Sequence, residues 1–194
     1  MSAAAKYDNG TLPDGWRVVR PGDVADVAFS GVDKKTVAGE VPVELCNYTG
    51  VFYNCWIRNG TEFMAATASH VECQRWALRQ GDVLFTKDSE TPEEIGIPSY
   101  VAVDLPNVLC GYHLGLARPS PDAVSGAFLA RALASRSSAR EFGRIANGVT
   151  RFGLTLDATK NLPIFLPPLP EQRAIAAVLA VSYTHLTLPT KRIV

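Results

Sequence analysis

The chain lacks an excess of either charge: 19 Lys and Arg offset 19 Asp and Glu in 194 residues. Bulk charge gives no pull on a polyanion, so any nucleic-acid contact must come from a local basic face. No apolar run reaches the roughly 18 residues of a membrane-spanning helix. The opening stretch, MSAAAKYDNGTLPDGW, has no apolar signal core, which argues against secretion. Cysteine is scarce. Cys46, Cys55, Cys73 and Cys110 form no CxxC pair and read as reduced thiols in a cytoplasmic protein rather than a disulfide framework. Asn-x-Thr triplets at Asn9, Asn47 and Asn59 then read as turns and strand ends. Neither GxGxxG nor GxxxxGK[ST] occurs, so no cofactor is expected and nothing supports a nucleotide or methyl-donor site. No acidic cluster marks a metal nuclease. The densest acidic run, Asp88 to Glu94, reads as a solvated loop.

What is present is globular: 47% hydrophobic and 20% charged residues suit one domain with a real core and a small appendage. Trp16, Val18 and Val19 suggest a short strand. Pro21-Gly22 marks a turn, and Asp23 is expected to cap a short helix through Phe29. SGVDKKTVAGEVP reads as a surface loop, and VPVELCNYTGVFYN, alternating and β-branched, as a strand. Turns are expected at Asn59-Gly60 and Gln80-Gly81, a buried strand from Val83 to Thr86, and a helical turn near Thr91. SYVAVD and NVLCGYHLGLARP supply further strands. The period then changes: Phe128, Leu129, Ala132 and Leu133, then Phe142 and Ile145, follow helical spacing, and Asn147-Gly148 stops it. Strands first and helices later argue for an α+β fold, a mixed sheet with flanking helices.

Near the end, Pro167, Pro168 and Pro170 hold the chain extended, and Pro170 and Glu171 suit a helix start. Gln172, Ile175, Leu179 and Ser182 follow a three-four spacing with Val178 beside them, a narrow seam for packing another helix or the chain's own domain. Residues 183–194 lose this composition and read as an unrelated, artefactual tail, with the helix cut off rather than short.

Candidate chemistry is sparse. Cys110 and His113 in LCGYHLG, with Asp104 upstream, could make a thiol nucleophile. On a strand, however, residues three apart face opposite sides, so a buried thiol and a satisfied histidine are the plainer reading. Zinc needs about four ligands, and His70 and His185 stand alone, so no metal is expected. What remains is a set of polar loops: Lys34, Lys35 and Thr36; Lys87 and Ser89; Thr150 and Arg151. Gathered on one sheet edge, such loops could contact phosphates and base edges.

Three stretches in order, LPDGWRVVRPGDVADV, GDVLFTKDSETPEEIG and NGVTRFGLTLDATKNLPIFLPPLPEQRAIAAVLA, resemble the specificity subunit of type I restriction–modification systems, over roughly residues 12 to 181. The resemblance implies a target-recognition domain at 12–169 and the start of a long spacer helix at 170–182. It implies a non-catalytic subunit that binds double-stranded DNA and docks modification and restriction subunits. DNA contact would fall to Lys34, Lys35, Thr36, Lys87, Ser89, Thr150 and Arg151. Helix packing would fall to Gln172, Ile175, Val178 and Leu179, with homodimerisation through the spacer helix. Such subunits usually carry two recognition domains and two spacer helices, whereas this chain carries one domain and the first turns of one helix. A protein-interaction module without DNA affinity and a thiol enzyme using Cys110 are the alternative functions.

Overall fold

The computed structural model describes residues 12–186, with side chains through Ala180. Strand β1 (Arg17–Val19) leads through one helical turn, α1 (Pro21–Val24), into β2 (Ala25–Phe29). There follow β3 (Val41–Cys46), α2 (Tyr48–Phe52), β4 (Trp56–Ile57), β5 (Met64–Ala68), α3 (His70–Trp76) and β6 (Ala77–Leu78). The middle of the chain holds β7 (Val83–Thr86), β8 (Asp88–Ser89), a 3-10 turn at Pro92–Glu94, β9 (Pro98–Val101), β10 (Leu105–Cys110) and β11 (Leu114–Pro119). The last part holds α4 (Gly126–Leu133), α5 (Arg136–Ile145), β12 (Phe152–Gly153), α6 (Leu156–Lys160), β13 (Ile164–Leu166) and α7 (Leu169–Leu186).

A five-stranded sheet, β2-β11-β7-β9-β4, forms the middle layer. It is mixed: β4 and β9 run parallel, the other neighbours antiparallel. Both its faces are covered. Leu84 and Leu116 enter a core shared with the four-stranded sheet β5-β3-β10-β6, while Val83, Phe85 and Ala117 enter a core under α4, α5 and α7. That is why β7 is buried at every position, and apolar from Val83 to Phe85, instead of alternating. The pair β1–β13 ties the start of the domain to its end.

Two turns repeat one device. In RPGDV the Arg20 N–H donates to Asp23 Oδ2 at 3.3 Å; in RQGDV the Arg79 N–H donates to Asp82 Oδ2 at 3.0 Å. Asp82 is buried and also receives Arg118 Nε and Nη2, each at 2.9 Å.

Three local expectations are corrected. The helix begun at Pro21 stops at Val24, with Asp23 in its first turn, because residues 25–29 pair along their whole length with β11. The strand expected through Asn54 ends at Cys46. Residues 48–52 are helical, with Tyr48 stacked on Phe52 at 5.3 Å and Val51 fully buried, so core packing overrides β propensity. Helix α3 was not expected. Ser69 and Glu72 form a capping box there, with the Glu72 N–H donating to Ser69 Oγ and the Ser69 N–H to Glu72 Oε2.

Helix α7 starts at Leu169, directly after Pro167 and Pro168, with Pro170 in its first turn. Gln172 is 1% exposed and faces the chain's own domain. Its Oε1 accepts from the Ser125 N–H at 2.9 Å, and its Nε2 donates to the carbonyls of Pro167 (2.9 Å) and Ala123 (3.3 Å). Ala176 is buried and Ile175 packs on the same core, while Val178 and Leu179 are exposed. Gln172 therefore docks the helix on its own domain, and the partly buried Ile175 packs on the same core. The helix includes residues 183–186 of the expected tail; 187–194 lie outside the described residues. Among the described residues no helix is long and apolar enough to cross a membrane.

Candidate functional site

Three segments meet beyond the end of β7. The Lys87 N–H donates to the His113 carbonyl at 3.2 Å, and the Leu154 N–H donates to the Lys87 carbonyl at 2.8 Å. Strand β8 pairs with β12, aligning Asp88 with Gly153. The loop between α5 and β12 is pinched at its stem, where Asn147 and Gly153 exchange N–H to carbonyl bonds of 2.9 and 2.8 Å. Gly148 has φ +143°, and a Cβ there would run into the Arg151 carbonyl. Glycine thus lets the loop close tightly enough to bring Arg151 back over β8.

Asp88 is the hub. His113 Nδ1 lies 3.0 Å from its Oδ1 and 2.9 Å from its Oδ2, and Arg151 Nη2 donates to Oδ1 at 3.2 Å. An ionised carboxylate only accepts, so Nδ1 carries the histidine proton, and in the neutral ring Nε2 is left as an acceptor. Beside this hub the Lys87 ammonium sits over the Tyr112 ring, 4.5 Å from its centre, and 5.6 Å from that of Phe29. Tyr112 meets His113 edge to face. Across a cleft stand Tyr48, Phe52 and Tyr53, with Glu90 and Glu94 at the rim. Burial, then Glu94, Asp88 and Glu90, push the Tyr48 phenol up, so it stays a proton donor at neutral pH.

The loops named from sequence divide. Lys87, Thr150 and Arg151 belong to this surface, with Thr150 and Arg151 exposed on the α5–β12 loop. Lys34, Lys35 and Thr36 are exposed on a separate loop, which leaves β2 at Ser30 and passes β5, where the Thr67 N–H donates to the Lys35 carbonyl. Lys35 pairs with Asp33 at 2.9 Å, and that bond holds its ammonium pKa up. Lys87 links the two regions, its Nζ reaching the Ser30 carbonyl at 3.5 Å. Ser89 lines the cleft but is 3% exposed, and its hydroxyl donates to the Thr91 carbonyl, a bond that shapes the loop. Asp88 to Glu94 is also no simple solvated loop, since Asp88 is largely covered by its partners.

Sequence reasoning missed Asp88, Tyr112 and the aromatic wall. The four-residue spacing of Tyr48 and Phe52, which stacks side chains on a helix, was the available signal. Cys110 is fully buried, and burial pushes its thiol well above its ordinary range. It offers no thiolate to a substrate, and His113 is committed to Asp88. Among the described residues no group of His, Cys, Asp and Glu could hold a metal ion.

A family model described as "Type I restriction modification DNA specificity domain" matches residues 13–193. The chain belongs to that family. Comparison with curated proteins yields no match. Among solved structures, the HsdS subunit from Thermoanaerobacter tengcongensis is similar at 21% identity and a TM-score of 0.62, covering 92% of this chain and 40% of that one. A chain from work on complex assembly and conformational transition of the type I R–M system is similar at the same identity and TM-score, covering 92% and 41%. The type I restriction–modification S subunit from M. genitalium follows at 16% identity and 0.54, covering 93% and 41%. The specificity domain thus has the α+β fold of these subunits, with mixed multi-strand sheets and flanking helices. It spans about two fifths of their length and corresponds to one target-recognition domain.

Proposed function

We propose that the chain reads one half of a bipartite DNA target and directs the modification and restriction subunits of a type I complex to it, without chemistry of its own. The family match over nearly the whole chain is the observation that carries this reading. The geometry supports it: basic and aromatic side chains from separate loops gather at the end of β7 around Asp88, with Glu90 and Glu94 beside them. Lys34, Lys35, Thr36, Lys87, Thr150 and Arg151 make the DNA contacts, phosphates setting the register and a few side chains reading base edges. The exposed Val178 and Leu179 on α7 support packing against a partner helix, in another subunit or a second copy of this chain. The setting is cytoplasmic. The same exposed residues favour the one competing reading, an interaction module with no DNA affinity.

Selection from a random duplex pool, with the full chain co-expressed with a modification subunit, separates the two. Enrichment of a motif of roughly three to five base pairs, weakened by salt, supports DNA reading. Partner binding without enrichment supports the interaction module. Arg151→Ala is expected to lower affinity for all sequences and flatten the salt slope by about one if it meets phosphate, or to relax one base position if it reads a base. Unchanged binding removes Arg151 from the interface.

A further inference from the structure

Resting on the DNA-reading function proposed above, we infer that Asp88 is a positioning residue, which aims Arg151 and His113 at the DNA and never touches it. A carboxylate on a surface that meets phosphates opposes binding through its charge. Its presence at the centre of this one calls for a compensating role, and its contacts supply one.

The backbone fixes only the stems of the three loops, through the bonds of Lys87 to His113 and Leu154 and the β8–β12 pair. The side chains at their tips are held by Asp88. The Arg151 side chain is 65% exposed and that of His113 is 42% exposed, whereas that of Asp88 is 20% exposed. A long exposed arginine samples many rotamers, and ordering it at the moment of binding costs entropy. Base readout needs its planar fork delivered in one direction. One N–H of Arg151 is spent on Asp88 and the other donors stay available. The same carboxylate holds the His113 proton on Nδ1, so in the neutral ring Nε2 is presented as an acceptor. One acidic side chain thereby sets a donor fork and an acceptor side by side.

The two effects of Asp88 have opposite signs, and this makes the inference testable. Asp88→Asn removes the charge at nearly constant shape. Affinity for random duplex is expected to stay the same or rise. The ratio of affinities for target and random duplex is expected to fall on the order of tenfold, the scale of one lost bidentate contact. The measurement is pool selection followed by titration of the enriched motif against random duplex, on the full chain with its modification subunit. Thermal unfolding of each variant is run alongside, and His113→Gln cuts the same tie from the other side should Asp88→Asn not fold. Because Asp88 acts through its two partners, adding Asp88→Asn to a His113→Gln/Arg151→Ala double variant is expected to change the ratio no further.

An unchanged motif and ratio in Asp88→Asn overturns the inference. So does a change confined to one base position with Arg151 and His113 intact in their effects, which makes Asp88 itself a base contact. A fall in random-duplex affinity also overturns it. A wild-type chain that enriches no sequence overturns the DNA reading as a whole, a result distinct from each of these.

Discussion

Replacing Gln172 tests how α7 is joined to the domain. The amide is 1% exposed and makes three hydrogen bonds, to the Ser125 N–H and the carbonyls of Pro167 and Ala123. Gln172→Ala leaves the Ser125 N–H without its acceptor at the start of α4. A buried donor orphaned in this way costs about 1–3 kcal/mol. Two carbonyls lose a donor, and the missing side-chain atoms leave a small void. A total near 3 kcal/mol is expected, read as a fall in the urea midpoint at constant slope.

Gln172→Glu is the sharper variant. It keeps the shape and the acceptor toward Ser125, but at neutral pH it sets a carboxylate oxygen against the Pro167 and Ala123 carbonyls. Only the protonated acid restores a donor there. The folded state therefore favours the protonated form, and the folded pKa lies above the unfolded value of about 4.3. Stability relative to wild type is highest below that value and is lost as pH rises through the folded pKa. Equal losses for Gln172→Ala and Gln172→Glu at every pH would refute the argument, since they would mean that the amide's donors carry no weight.

Other outcomes follow from buried groups. Arg118→Met takes both guanidinium bonds from Asp82, a carboxylate 1% exposed in the wild type, and is expected to cost about 3 kcal/mol in urea unfolding; no loss would mean that Asp82 finds another partner. Ser99 has a buried hydroxyl with no hydrogen-bond partner, so Ser99→Ala is expected to be neutral or to raise stability by up to about 1 kcal/mol, seen as an unchanged or higher melting temperature. Alkylation of the native protein near pH 8 is expected to label exposed Cys55 first. Cys46, whose thiol is pushed up to about 12 by burial, and Cys110 should react only on unfolding, as mass mapping of the adducts would show.

The parts legible in the sequence were those governed by neighbouring residues. Gly81 takes φ +100° at the expected turn, and Val83–Thr86 is a buried strand. The proline-marked start of α7 and the helices at 126–133 and 136–145 also follow from local pattern. Where a segment's own preference conflicted with the core, local reading failed. NYTGVF reads as a strand, yet burying Val51 and Gly50 folds it as α2.

The candidate site shows the same divide. Sequence alone determined which residue types were available: lysines, an arginine and hydroxyls in polar loops, with no cofactor motif among them. Tertiary structure alone decided their use. It turned Ser89 inward, left Thr150 outward, and set Asp88 against His113, 25 residues away, and Arg151, 63 residues away. Turns and helix starts depend on sterics and hydrogen bonds within a few residues, which the local sequence states directly. A carboxylate's partners depend on which strands pair and where loops close, and only the folded core sets those distances.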